Sequence, residues 1–451
     1  MSGRKVVVLD GCGLHDQDLA PVLNELLDVF LRNGSQIETV RLHKLKLAHC
    51  LGCFKCWVKT PGMCAENDAG RRIAEAVIQS DTTVFFTPVT FGGYSPDLKK
   101  VIDHFVQLLS PFFAIAHGEV HHPPRYARRP RLIVVGVQRR ANSHEAHIFK
   151  TLVGRNAINL HPPGYATEVV VATDDAATLR QCFEALLTRS DGLPFGQCVA
   201  SLMPAVVSGI AAEPISPRRA LLIVGSPKTN SRSTSSILGS YLLERMGKYG
   251  WQTESLTLRA SLNHQEGETE LLASIDRANL VLLVFPLYAD TLPYLVTKAL
   301  AVVATDRQAA SDPSPKRLVA IVNSGFPETY QNSVALAICE EFAAQSRVAW
   351  CGGLALGGGG MIGGQPLTAT KRSGLSVKRV IQALDLTAAA LSEGLPVPAQ
   401  AVKLLTKNPI PLVPFALWRW IYTWFASKGF EREAARNGIA KDRLLDQPYA
   451  V

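Results

Sequence analysis

The sequence lacks several features that would place it in a common class. Its first residues, MSGRKVVVLDG, contain neither a long apolar core nor a small-residue cleavage site, so we expect no secretory signal and a cytoplasmic protein. Cysteines are few, nine in 451 residues. In a reducing compartment a disulfide framework is not expected, so clustered cysteines indicate a metal or redox site.

The body of the chain also lacks a charge excess. The formal net charge is +9, but the last 81 residues hold twelve Lys or Arg against six Asp or Glu, and the first 370 hold 35 against 32. A nucleic-acid-binding enzyme would carry a basic stripe across its working face, so no nucleic-acid partner is expected. The length and a 47% hydrophobic content predict a globular protein of two or three domains.

An internal repeat organises the chain. Its matching segments are short and apolar: RKVVVLD (4–10) with RRALLIVG (218–225), QIETVRL (36–42) with QTESLTL (252–258), and RLIVVG (131–136) with RLVAIV (317–322). Such runs are typical of strands buried on both faces of a parallel sheet, and helix-period stretches, such as 19–31 and 235–246, lie between them. The fold class predicted is therefore α/β, with two tandem doubly wound parallel sheets and a C-terminal helical tail.

The predicted domains are 1–207, 218–400 and a tail at 401–451, with SGIAAEPISP (208–217) as the linker between the first two. The tail contains PIPLVPFALWRWIYTWFA (409–426), which is short for a spanning helix and is interrupted by Arg419. Its tryptophans and flanking cations suit contact with a membrane surface, and its apolar content equally suits packing or a homo-oligomer interface.

Three loops of the second half suggest a mononucleotide site at the carboxyl edge of its sheet. The first, GSPKTNSRSTSSILG (225–239), has no Gly-x-Gly-x-x-Gly or P-loop motif, but its hydroxyls precede a helix, which suits either a phosphate site or an ordinary helix cap. The next two loops suit a planar ring, and GGLALGGGGMIGG (352–364) could wall the same edge. The candidate ligand-binding residues are Ser226, Lys228, Ser233, Thr234, Ser235, Pro286, Leu287, Tyr288, Ala289, Asn323, Ser324 and Gly325.

Four of the nine cysteines lie in CLGCFKCWVKTPGMC (50–64), with the spacing C-x2-C-x2-C-x7-C. The first half has some nineteen residues more than the second between its second strand and second helix, and this segment lies in that insertion. Four thiolates from one tight run suit a [4Fe–4S] cluster with Cys50, Cys53, Cys56 and Cys64 as ligands. A metal-free loop and a zinc site are the alternatives.

These motifs together resemble the flavodoxin-like superfamily of NAD(P)H-dependent FMN reductases. Segments 225–239 and 286–300 (PLYADTLPYLVTKAL) are similar to its two flavin loops, and 87–105 (TPVTFGGYSPDLKKVIDHF) to the second of them. The four-cysteine segment resembles the compact cluster motif of iron–sulfur flavoproteins in that superfamily. The first phosphate loop, DGCGLHDQDLAP (10–21), departs from the pattern because its aspartates, Asp10, Asp16 and Asp18, would repel a phosphate.

The resemblance implies FMN and NAD(P)H as cofactors and electron transfer to a quinone-like or other small acceptor, with a [4Fe–4S] cluster as a further carrier. The alternative is a non-catalytic electron-transfer or redox-sensing iron–sulfur flavoprotein. The cofactor supplies the chemistry in this superfamily, so no catalytic side chain is assigned.

Overall fold

A computed structural model of the chain describes residues 3–194, 196–203, 216–228, 232–262, 265–369, 375–408 and 413–450. The chain divides into two compact units. Unit 1 comprises Met1–His117, His121–Phe195 and Thr423–Val451, and unit 2 comprises Gly118–Val120 and Gly196–Tyr422. Most of the predicted linker at 208–217 lies outside the described residues, and the domain boundaries predicted from the sequence stay predictions.

Unit 1 is built on a parallel sheet with helices on both faces. Its strands are β1 (Lys5–Asp10), β2 (Gln36–Arg41), β3 (Thr82–Pro88), the short pair β4 (Ala114–Ala116) and β5 (Glu119–His121), β6 (Arg131–Gln138) and β7 (Tyr165–Val171). The order across the main sheet is β2-β1-β3-β6-β7. The helices are α1 (Ala20–Arg32), α2 (Lys55–Val58), α3 (Ala69–Ile78), α4 (Pro96–His104), α5 (Ser143–Leu160) and α6 (Ala176–Thr188).

Burial explains why the sequence forms these elements. All seven residues of the central strand β3 are buried, which accounts for its continuous apolar run, whereas the edge strand β2 has no fully buried residue. On α1 the buried residues recur at the helical spacing and face the sheet: Val22, Leu23, Leu26, Val29 and Phe30. The helix predicted at 19–31 is thereby confirmed.

Unit 2 repeats this design. Its helices and strands follow in the order α7 (Gln197–Ala200), β8 (Arg219–Val224), α8 (Thr234–Lys248), β9 (Gln252–Thr257), α9 (Leu258–Ser261), α10 (Gln265–Arg277), β10 (Leu280–Pro286), α11 (Tyr294–Ala309), β11 (Arg317–Asn323), α12 (Ser333–Gln345), β12 (Ala349–Leu356), α13 (Leu375–Ser392) and α14 (Ala399–Thr406). The strands pair in parallel in the order β9-β8-β10-β11-β12.

Both sheets therefore have the strand order 2-1-3-4-5, which is that of flavodoxin-like folds. The predicted tandem of doubly wound sheets is confirmed. The last helix, α15 (Phe415–Arg436), gives the predicted helical tail. None of the helices in the described ranges is both long and apolar enough to cross a bilayer. The outer face of α15 exposes Leu417, Trp420, Trp424 and Phe425, and contact with a membrane or a second copy stays a prediction.

Close packing of the first sheet against α5 gives a test of the fold. A Cβ atom built at Gly136, in the middle of β6, would lie 2.7 Å from the Phe149 ring of α5 and 2.8 Å from Val89. We expect Gly136→Ala to lower the free energy of unfolding by about 1–3 kcal/mol, because a filled core has no room for the methyl group. The matched control is Gly192→Ala, where no heavy atom lies within 4 Å, and it should change stability by less than about 0.5 kcal/mol. Urea unfolding measures both, and equal stabilities would contradict this packing.

Candidate functional site

In unit 2 the loop after β8 leads into the start of α8. The Ser233 side chain caps this helix by accepting a hydrogen bond from the Ser236 amide at 3.1 Å. Ser226 is 3% exposed, and its Oγ accepts from the Lys228 amide at 3.4 Å, while the Lys228 side chain is exposed. The first amides of a helix have no acceptor inside it, so the Thr234 and Ser235 amides are available to an anion.

The serine hydroxyls near the N-terminus of α8 can each still donate a hydrogen bond to a ligand. Ser226, Ser233 and Ser235 each use Oγ to accept one hydrogen bond, which leaves the O–H of each able to donate. Thr234 differs, because its Oγ1 donates to the Gly359 carbonyl at 3.1 Å. A phosphate here would therefore receive donors from three serine hydroxyls and from backbone amides, with Thr234 contributing its amide.

The two following loops meet this helix start through one amide side chain. Asn323, at the end of β11, donates from Nδ2 to the Ser235 Oγ at 2.8 Å and to the Phe285 carbonyl at 3.0 Å. The Leu287 amide in turn donates to the Asn323 carbonyl at 2.8 Å. The structure thus brings together the three loops that the sequence predicted separately.

The loop after β10 is a tight turn with unusual backbone. Tyr288 and Thr291 exchange two backbone hydrogen bonds, of 3.0 and 3.1 Å, around Ala289 and Asp290. Both central residues are left-handed although neither is glycine, with φ of 47° and 56°. Such conformations are costly and concentrate at ligand sites. Unit 1 has the same turn at Phe91 and Gly92, between Thr90 and Gly93.

The loop after β11 is held by residues that the sequence did not predict. The buried Glu328 carboxylate accepts from the Arg419 guanidinium at 2.7 Å and from the Val120 amide at 3.1 Å. Tyr422 donates to the carbonyl of Gly325. Burial nevertheless raises the pKa of Glu328. Arg419 and Tyr422 lie in the first half of α15, so this part of the predicted tail supports a candidate ligand loop.

The glycine-rich segment lies against the same loops. The Gly359 amide donates to the Ser324 carbonyl at 2.8 Å, and a Cβ built at Gly359 would lie 3.1 Å from Asn323 Oδ1. At Gly357 a Cβ would lie 2.4 Å from the Pro327 carbonyl, so only glycine fits there. A Cβ at Gly325, by contrast, would meet no described atom within 4 Å. The segment forms a wall of the site and leaves space beside Gly325.

In unit 1 the equivalent loop, which follows β1, has its backbone amides bound by its own aspartate side chains. Asp10 Oδ1 accepts from the Cys12 amide at 3.0 Å, and Asp16 Oδ2 accepts from the Gly13 amide at 2.7 Å. Arg139 pairs with Asp16 at 2.7 Å and with Asp18 at 3.0 Å, which fixes the carboxylates in the loop. Loop amides that would face a phosphate are already bound to anions. These residues do not fit an FMN phosphate.

The four-cysteine segment follows β2 in unit 1 and precedes α3. It is anchored at both ends: Asp68 accepts from the Ala48 amide at 2.8 Å, and the Arg71 guanidinium donates to the Cys64 carbonyl at 2.7 and 2.9 Å. In the middle, the Trp57 indole donates to the Val106 carbonyl at 2.8 Å. Cys53 is exposed, Cys56 is buried, and Cys50 and Cys64 are half-buried.

The four thiols influence one another electrostatically. Burial raises the pKa of Cys56, and the neighbouring thiolates of Cys50, Cys64 and Cys53 raise it further. Burial also raises the pKa of Cys50, to about 12, with smaller contributions from Asp103 and from Cys64 and Cys53. Nevertheless, no group of three or more His, Cys, Asp or Glu within the described ranges is arranged as a metal site. The donor set suits iron, and ligation would require the thiol side chains to turn toward one another.

The cysteines of the described side chains are all free, including Cys12, Cys182, Cys339 and Cys351. Of these, Cys12, Cys339 and Cys351 are buried. The sequence predicted neither the closure of the first loop by Asp10 and Asp16 nor the Glu328–Arg419 pair, since both depend on residues distant in the chain.

Comparison with known proteins finds similarity to a reductase family and to an iron–sulfur flavoprotein. Residues 5–168 match the family described as NADPH-dependent FMN reductase. An iron–sulfur flavoprotein of Methanocaldococcus jannaschii is 28% identical over 99 residues, which cover 22% of this chain and 50% of that protein. The chain thus spans about half the length of this curated relative.

Two solved structures show the extent of the structural likeness. An NAD(P)H:quinone oxidoreductase from Methanothermobacter marburgensis superposes with a TM-score of 0.34 at 11% identity, covering 42% of this chain and 99% of that one. An FMN-dependent NADH-azoreductase from Bacillus anthracis gives 0.28 at 13% identity, covering 39% and 99%. The family match covers residues 5–168, nearly all of which lie in unit 1, and the strand order of both sheets is that of flavodoxin-like folds.

Proposed function

We propose that the protein is an FMN-dependent NAD(P)H oxidoreductase whose flavin binds in unit 2. One observation carries the choice of unit. The start of α8 offers serine hydroxyls and helix amides to a phosphate, whereas the equivalent loop of unit 1 is filled by the carboxylates of Asp10 and Asp16. The family match lies on unit 1, so the two units would share an ancestry and differ in their ligands.

The residues of unit 2 would divide the work of holding FMN. Ser226, Ser233 and Ser235 would donate to the phosphate, together with the amides that open α8. The turn at Ala289–Asp290 and the space beside Gly325 would receive the ring. When bound, FMN supplies two-electron exchange between a nicotinamide and a small acceptor, such as a quinone. The glycine-rich wall would limit the access of water to that site.

We further propose that Cys50, Cys53, Cys56 and Cys64 hold a [4Fe–4S] cluster in unit 1. The proposal is supported by the number and spacing of the thiols, by their mutual electrostatic influence, and by the name of the curated relative. The alternative of a thiol-based redox sensor is disfavoured. This holds for three of the thiols: a reactive sensor cysteine needs a lowered pKa, but burial raises the pKa values of Cys50, Cys56 and Cys64.

The flavin assignment predicts the effect of added charge at the helix start. Replacing Ser233 and Thr234 together by Asp should reduce bound FMN at least about 100-fold, because two carboxylates repel a phosphate in contact with them. Aspartate is itself a good helix cap, so α8 should persist. Ser240→Asp, on an exposed position of the same helix, is the control and should retain FMN. Flavin content is read from the absorption spectrum, and full retention by the double variant would place FMN elsewhere.

Turnover distinguishes an enzyme from a passive carrier. With FMN bound and a quinone supplied, we expect steady oxidation of NADH or NADPH over many cycles. The Ser233→Asp/Thr234→Asp protein should lose this activity in proportion to its flavin. Oxidation that stops after one equivalent of nicotinamide would instead indicate the non-catalytic electron-transfer function.

The cluster assignment predicts the iron content. Protein prepared without oxygen should contain about four irons and four sulfides per chain, the content of a [4Fe–4S] cluster. Cys53→Ala should lose most of this iron and keep the FMN of unit 2, while Cys182→Ala, outside the segment, should keep both. Flavin without iron or sulfide in anaerobic wild-type protein would show that the segment is a metal-free loop.

A further inference from the structure

The C-terminal residues 427–449, which we call the tail cover, pack on the four-cysteine segment within unit 1. The ring of Phe430 lies 5.0 Å from that of Trp57 and 5.6 Å from that of Phe54, in edge-to-face contacts. Ala434 and Leu444 belong to the same buried apolar cluster as Cys56, Trp57 and Val58. The second half of the helical tail is therefore part of the surroundings of the cysteines.

Polar contacts fix the tail cover at a second point. The Gln107 side chain accepts from the Cys64 amide at 2.9 Å and from the Tyr449 hydroxyl at 3.0 Å, so one oxygen joins the cysteine segment to the chain end. A Cβ built at Gly62 would lie 2.5 Å from Pro448 Cδ. The two segments touch with no room for a side chain between them.

A buried cation lies where these segments meet. Arg125 is 3% exposed. Its Nη1 donates to the carbonyls of Leu444 and Asp446 at 2.8 and 2.9 Å, and its Nε donates to those of Gln107 and Leu109 at 3.1 and 3.2 Å. These four acceptors are neutral backbone groups. Arg125 thus ties the tail cover to the loop that supports Cys64.

The charge of Arg125 is not neutralised by these contacts. Its buried Nη2 has no hydrogen-bond acceptor, and no carboxylate is within ion-pair distance of it, among the described residues. A buried charge is costly unless it is paired. Arg125 binds the backbone of Leu444, whose side chain lies in the same buried cluster as Cys56, and the backbone of Gln107, whose side chain accepts from the Cys64 amide. An unpaired guanidinium next to a group of thiols indicates a missing anionic partner.

We propose that Arg125 is the counter-charge of an anionic metal–thiolate centre at Cys50, Cys53, Cys56 and Cys64, and that the tail cover holds Arg125 in place and shields the centre from water. This inference rests on the proposed iron–sulfur function, because four thiolates leave such a centre with a net negative charge. Nearby positive charge and hydrogen bonds to the sulfurs raise the potential of such a cluster, and burial slows its loss to solvent. Arg125 is a positioning residue in this account.

The charge is tested with two variants of the full-length, anaerobically reconstituted protein. Arg125→Met removes the charge, and Arg125→Lys keeps it. We expect Arg125→Met to release iron to a chelator about tenfold faster than wild type and to shift the midpoint potential of the cluster to a more negative value. Arg125→Lys should recover most of the potential. Identical potentials in Arg125→Met and wild type would overturn the counter-charge proposal.

The cover is tested in metal-free protein, so that this part does not depend on a cluster. Phe430→Ala should raise the rate at which Cys56 is alkylated about tenfold, since the ring contacts with Phe54, Trp57 and Phe113 are lost. The matched control is Phe425→Ala on the same helix, where the ring is 61% exposed, and its rate should equal that of wild type. Mass spectrometry assigns the alkylated cysteine. Equal alkylation rates of Cys56 in all three proteins would contradict the proposal that the tail cover shields the cysteines.

The two experiments separate this inference from the proposed function. If wild-type protein never takes up iron while Phe430→Ala exposes Cys56, shielding by the tail cover is supported. The cluster and the counter-charge role of Arg125 are then both rejected. If iron is bound but Arg125→Met changes neither iron release nor the midpoint potential of the cluster, the cluster is supported and Arg125 has only a structural role.

A second variant is available should Arg125→Met fail to fold. Tyr449→Phe removes only the hydrogen bond to Gln107 and should speed iron release. Unchanged release would contradict the proposal.

Discussion

Parallel pairing of the strands is the constraint on which the rest of the structure depends. Because every strand in each sheet runs the same way, all the carboxyl ends meet at one edge, and each must be followed by a loop and a helix that returns. Residues 88 and 125 positions apart are thereby brought together in unit 2, as the contacts of Asn323 with Ser235 and of Thr234 with Gly359 show. The cysteine segment occupies the same kind of position in unit 1, after β2.

The two units use one backbone design for different electrostatics. A loop at the start of a helix presents amides that seek an anion. In unit 1 the chain supplies that anion itself, through Asp10 and Asp16, and Arg139 offsets the accumulated charge. In unit 2 the loop after β8 contributes hydroxyls, such as those of Ser226 and Ser233, and the first amides of α8 stay available. A duplicated fold can thus lose one ligand site by a few substitutions while keeping its core, because the exchanged residues lie on loops outside the sheet.

The helical tail contributes side chains to both units, an ion pair to unit 2 and aromatic rings to unit 1. Its first half gives unit 2 the Arg419–Glu328 pair under the loop after β11. Its second half belongs to unit 1 and packs aromatic rings on the cysteine segment. Buried charges recur at these places, in Glu328 and Arg125, although such groups lower stability unless they are paired. Their positions beside the candidate ligand loop and the thiols are consistent with a role in binding rather than in folding.

The sequence by itself determined the fold class and the composition of the sites. Short apolar runs such as LVLLVFP (280–286) are typical of strands buried on both faces, and the repeat of such runs predicted two sheets of the same kind. The local spacing of the cysteines and of the serines before α8 identified the candidate ligands, because those patterns lie within single segments. Tertiary structure alone decided which amides are occupied, that Arg125 binds the carbonyls of Leu444 and Asp446, and that residues 427–449 pack on the cysteine segment. These features join residues up to about 390 positions apart, and the free energy of a buried charge depends on every group around it, which no local pattern records.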